Sequence, residues 1–141
     1  MAIPSWDNQT IAERLIAEEI RVGNGATVKT PPAFRVCEKL RRSLSTLVGA
    51  AGFHSVMARA LTIATSEVPG LSEVRVKPDG SLEIPAEIMD QRESVQGGTA
   101  LVVRLLGLLA TFIGEALTLR LVQNIWPKLA FKNSPPGIEK S

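Results

Sequence analysis

The sequence predicts a mainly α-helical single domain, a bundle of four to five helices with a small β-hairpin insert near residues 74–84. Three observations carry this reading. Apolar residues recur at helical spacing over residues 7–22 and 37–51. Alternating apolar and polar residues flank a single Pro-Asp-Gly turn at residues 78–80. A long, almost uniformly apolar stretch runs from Ala100 to Trp126.

The first helix is expected from about Asp7 to Val22. Ile11, Ala12, Leu15, Ile16 and Ile20 share one side, and Glu13, Arg14, Glu18 and Arg21 face water. Ser5 or Asp7 can accept the free N–H groups at its start, and Gly23-Asn24-Gly25 stops it. Thr30-Pro31-Pro32 opens a second helix, since proline lacks only an N–H that a first turn leaves unpaired. Cys37, Leu40, Leu44, Leu47 and Ala51 form its apolar side. Gly49 to Gly52 kinks it or divides it from a third helix over about Phe53–Glu67, because each interior glycine costs roughly 1 kcal/mol.

Val74, Val76, Leu82 and Ile84 are the expected covered face of the hairpin, which must lie on helices to be stable. Residues 85–91 read as a helical turn and residues 92–98 as a mobile stretch. Thr99 can cap the last helix, and Pro127 ends it. The expected domain is residues 1–130, with residues 131–141 a flexible tail.

Ala100, Arg104, Gly107, Thr111, Gly114 and Thr118 recur at spacings of four and three along the last helix. Ala51, Ser55, Ala58, Thr62 and Thr65 make a matching stripe on the third. Small residues let helix backbones approach closely, so the two stripes are expected to meet each other, or each to meet its counterpart in a second copy. A helix apolar on nearly all sides must be covered on nearly all sides. Gly107, Thr111, Gly114 and Thr118 are therefore interface candidates for a homodimer or another protein partner. Glu115, Arg59 and Arg104 are candidates for a buried ion pair.

Charge is unevenly distributed. Residues 28–60 carry a net +5 and residues 61–99 a net −4. Arg35, Lys39, Arg41 and Arg42 form a basic patch on the second helix that could meet phosphates or an acidic protein surface. Nucleic-acid binding is the weaker of these expectations, because no helix-turn-helix or stacking aromatic platform accompanies the patch.

The remaining composition excludes more than it supplies. The lone Cys37 rules out an internal disulfide and any multi-thiolate metal site. The lone His54 argues against imidazole-rich sites. No phosphate-cradling glycine loop or nucleophile–base arrangement is present. The reading is thus of no cofactor, no metal and no catalytic residue, and leans away from an enzyme. The two longest uncharged runs, residues 43–58 and 105–114, fall short of the roughly 20 residues a membrane span needs. No secretory signal is visible, and a lone thiol fits a reducing cytoplasm.

The expected function is a non-catalytic interaction or regulatory module that self-associates through its C-terminal helix. The alternatives are a nucleic-acid-binding regulator using the basic side of the second helix, and a small apolar-ligand-binding protein or enzyme with a pocket near Glu115.

Overall fold

A computed structural model describes residues 7–23, 31–85 and 92–129. Helix α1 spans Asn8–Gly23, α2 Pro32–Glu67, α3 Arg92–Ile113 and α4 Glu115–Ile125. A 3-10 turn over Pro69–Glu73 follows α2. The two-residue strands β1 (Arg75–Val76) and β2 (Leu82–Glu83) then pair antiparallel, with Val76 opposite Leu82. The predicted mainly helical bundle with a small hairpin is what forms. The expected helical turn at residues 85–91, apart from Pro85, which is not helical, lies outside the described residues, as do the Asn24-Gly25 stop and the tail from residue 131.

Asp7 caps α1. Its Oδ1 accepts the backbone N–H of Gln9 at 3.1 Å and of Thr10 at 3.3 Å, satisfying donors that a helix start leaves orphaned. Pro32 occupies the first position of α2, where its missing N–H costs nothing. The hairpin turn closes through Gly80 N–H to the Lys77 carbonyl at 2.8 Å, with Gly80 at φ 89°. Asp79 Oδ1 holds the far side through Ser81 N–H at 2.9 Å.

The core joins Ile11, Ala12 and Leu15 of α1 to Leu40, Leu44, Phe53 and Met57 of α2, and to Leu101, Leu105, Leu106 and Leu109 of α3. Helices α2 and α3 pack extensively, α1 lies against both, and α4 returns along α2. Arg104 of α3 pairs with Glu67 at the end of α2, and Lys39 near its start sits 6.0 Å from the Trp126 ring. Ala33 at the start of α2 also meets Gly98 near the start of α3, and a straight helix would hold Ala33 and Glu67 about 50 Å apart, so α2 turns back on itself at Gly49.

Both α2 and the α3–α4 segment break at a glycine in the same backbone conformation. Gly49 interrupts α2 at φ 82°, ψ 160°, and Gly114 separates α3 from α4 at φ 95°, ψ 151°. This region is open to glycine and strongly unfavourable to other residues. The expected continuous helix from Ala100 to Trp126 is thus two helices, whereas the kink or division expected over Gly49 to Gly52 does form, at Gly49. Residues 92–98 are also not a loose stretch: α3 already starts at Arg92. Gly97 and Gly98 explain why. A Cβ on Gly97 would lie 2.7 Å from the Leu71 side chain, and one on Gly98 would lie 2.6 Å from Ala33 Cβ. The two glycines lower helix propensity but let the first turns of α3 settle directly on their neighbours. Thr99 does not cap; its hydroxyl donates to the Val95 carbonyl at 3.0 Å.

By length and composition alone, α2 and the Val95–Ile113 part of α3 are each apolar enough to cross a membrane. This differs from the expectation drawn from uncharged runs, because Arg59 and Arg104 interrupt those runs without making the helices polar. Core helices of water-exposed bundles meet the same description.

Candidate functional site

The most polar element of the interior is built around Glu19 of α1. Its side chain is buried, 1% exposed, while Ile20 beside it is 55% exposed. The sequence reading placed Ile20 on the covered side with Ile11, Ala12 and Leu15; those three are buried, and only at the last turn does Glu19 take the covered position in place of Ile20. Specific donors account for this exchange. Lys39 Nζ lies 2.5 Å from Glu19 Oε2, Arg35 Nε lies 3.2 Å from Oε1, and the Trp126 indole N–H donates to Oε2 at 2.9 Å. Arg35 also donates to the Glu19 backbone carbonyl at 2.5 Å. Burial alone would raise the Glu19 pKa, but the bonds from Lys39, Trp126 and Arg35 together hold it below the ordinary value. One carboxylate thereby ties α1, α2 and the end of α4 together.

This knot consumes half of the basic patch. Arg41 pairs with Glu38 and reaches Asp79 on the hairpin at 3.9 Å, and Arg42 Nε lies 3.5 Å from Glu38. The Glu38 pKa is lowered, chiefly by the hydrogen bond from Arg41. Among the described residues these four cations thus face Glu19, Glu38 and Asp79. The sequence could show the cations but not the carboxylates that fold onto them from α1 and the hairpin.

Between the first half of α2 and the hairpin lies a cleft of about 370 Å³. Phe34, Leu82 and Ile84 form its apolar side, and Arg35, Lys39, Arg42 and Glu38 its charged side. The hairpin is fixed in place by three contacts. His54 Nδ1 donates to the Lys77 carbonyl at 2.8 Å, Arg41 reaches Asp79, and Gly80 sits so close to Phe53 that a Cβ there would fall 2.6 Å from the ring. Since Arg41 precedes Gly49 and His54 follows it, the hairpin bridges the break in α2.

The interface candidates are not one continuous stripe. Thr118 is buried, its hydroxyl donating to the Gly114 carbonyl at 2.7 Å. Gly107 faces α1, where a Cβ would meet the Asn8 amide at 2.9 Å. Thr111 and Gly114 are exposed. The matching stripe on α2 also fails to form the α2–α3 contact. Ala51, Ser55 and Thr62 face outward, and Ser55 and Thr62 donate to backbone carbonyls four residues earlier. Phe53, Met57, Ala60, Leu61 and Ala64 are the buried residues of this part of α2 instead. Glu115, Arg59 and Arg104 are all exposed, so none forms the expected buried pair; Arg104 pairs with Glu67 at the surface.

Large apolar side chains do remain uncovered at the level of the two glycine breaks. Leu47 is 58% and Phe112 59% exposed, and Leu117 is exposed as well. Leu47 and Leu117 line one shallow concavity of about 430 Å³ with Thr46, Arg120, Leu121 and Asn124. Cys37 is buried, and burial pushes its thiol up to about 12, which makes it inert as a nucleophile. Among the described residues no three His, Cys, Asp or Glu side chains are grouped to hold a metal ion. No family model, no curated protein and no solved structure matches this chain.

Proposed function

We propose that the protein is a non-catalytic helical interaction module that self-associates through the face where α2 breaks at Gly49 and α3 gives way to α4 at Gly114. The observation that carries this reading is the pair Leu47 and Leu117, exposed on either side of one concavity. Exposed large apolar residues around a shallow depression are a common form of protein-binding surface. A two-fold axis through such a surface would let each copy offer Leu117 to the depression of the other. The C-terminal helix remains the contacting element, as expected from sequence, but through Leu117 and Leu121 instead of the small-residue stripe. A nucleic-acid reading has less support, because three carboxylates already offset the basic patch.

The test is light scattering on the native chain and on the Leu47→Glu and Leu117→Glu variants. Both positions are exposed, so circular dichroism is expected to be unchanged while association is lost. Association that survives both substitutions would remove this face from the account.

A further inference from the structure

We propose that the end of the bundle holding Gly49 and Gly114 is a lipid-docking surface that enters the surface layer of an anionic bilayer without crossing it. Leu47, two residues before Gly49, and Leu117, three after Gly114, line one concavity, so both glycine breaks stand at the same end. Gly49 and Gly114 are themselves exposed, and a Cβ on either would meet nothing within 4 Å. The residues at this end, 46–51 and 111–117, are mostly exposed and carry no charge except at Glu115. Phe112 is 59% exposed and lies outside the concavity. In the most apolar stretch of α2 28% of the residues are buried, and in that of α3 39%, whereas a helix apolar on most sides is ordinarily covered on most sides.

Charge selects the partner. Moving away from the end, Arg42 and Arg59 are the first charged residues of α2 on either side of Gly49. On α3 the first is Arg104, which Glu67 pairs, and on α4 Arg120 follows Glu115. Arg42, Arg59 and Arg120 are exposed, Arg42 beside Glu38. At 1.5 Å per residue these three stand about 9–15 Å back from the breaks. Interfacial helices bury their apolar side about 5–10 Å deep, which would set Phe112 against the acyl chains and the arginines near the lipid phosphates. The contact is centred on Phe112 and does not rest on self-association through the concavity.

The experiment floats the full chain with vesicles of phosphatidylcholine, alone or mixed equally with phosphatidylglycerol. Binding to the mixed vesicles is expected, at least about tenfold tighter than to phosphatidylcholine, since each basic residue close to an anionic surface contributes about fivefold. Phe112→Glu, at an exposed position, is expected to keep the circular dichroism spectrum and the sedimentation mass and to weaken flotation about tenfold or more. Lipids brominated on their acyl chains are expected to quench the fluorescence of Phe112→Trp more than that of the native chain. The proposal is overturned if neither vesicle binds, if phosphatidylcholine binds as well as the mixture, or if Phe112→Glu floats like the native chain. Equal quenching of Phe112→Trp and the native chain would overturn it as well, by showing adsorption through charge alone. If Phe112→Glu lowers the sedimentation mass and spares flotation, this end belongs to a second copy and the proposal fails.

Discussion

The indole N–H of Trp126 donates to the buried carboxylate of Glu19 at 2.9 Å, across 107 residues of sequence. Lys39 and Arg35 hold the same carboxylate from α2, so the contact fixes the first helix, the second and the end of the last relative to one another. Removing the carboxylate strands two cations and an indole donor. Glu19→Ala is predicted to cost about 3 kcal/mol, at the low end for a broken buried pair because Lys39 can turn toward water. Urea unfolding of the variant in a Trp6→Phe background measures this, with Trp126 as the reporter. A loss below about 0.5 kcal/mol, the usual range for surface substitutions, would contradict the structural role of the knot.

The same carboxylate predicts an acid dependence. The folded-state pKa of Glu19 lies below the ordinary 4.5, so its contribution is fully present above that value. That contribution is lost as pH falls through the depressed folded value. Stability of the native chain is therefore expected to drop below pH 4.5, and Glu19→Gln is expected to drop less steeply there. Parallel curves for the two proteins would show that Glu19 does not carry the linkage.

Gly49 and Gly114 predict a different kind of cost. A Cβ at either would meet nothing within 4 Å, so contacts alone suggest alanine is harmless. Backbone conformation says otherwise: both positions lie in a region open essentially to glycine, worth about 1–3 kcal/mol per substituted residue. Gly49→Ala and Gly114→Ala are each predicted to lower the melting temperature. A rise in either would mean that the helix straightens without loss.

Gly98 gives the contrasting case, a clash with ordinary helical backbone. Its Cβ would fall 2.6 Å from Ala33 Cβ, and neither methyl can rotate away. Gly98→Ala is predicted to destabilise by about 1–3 kcal/mol, the usual cost of overpacking, despite the better helix propensity of alanine. Thermal unfolding of Gly98→Ala, alone and combined with Ala33→Gly, checks this; relief in the double variant identifies the contact.

How far the sequence revealed these features follows from the range of each interaction. The Asp7 cap, the Pro32 start and the Lys77–Ser81 turn depend on neighbours within a few residues, and local residue types disclosed them. The burial of Glu19 depends on Lys39, Arg35 and Trp126, which are distant in sequence, and the local pattern favoured Ile20 because it is apolar. The break at Gly114 was hidden for a related reason. In a run as apolar as residues 105–113, a glycine reads equally well as a small residue in a close helix contact. Only the backbone conformation distinguishes the two. The small stripe on α2 misled in the same way: Ser55 and Thr62 satisfy their hydroxyls on their own helix and face outward. A possible cue was present in Leu47 and Leu117, apolar residues close in sequence to Gly49 and Gly114, although their shared concavity needed the fold to become visible.

Self-association through that concavity is tested most directly by sedimentation equilibrium of the native chain over a wide concentration range, about 1 to 300 µM, where mass action reveals a reversible dimer. The account predicts an average mass that rises from one chain toward two across that range, and that stays at one chain for Leu117→Glu. A mass of one chain at every concentration would contradict it.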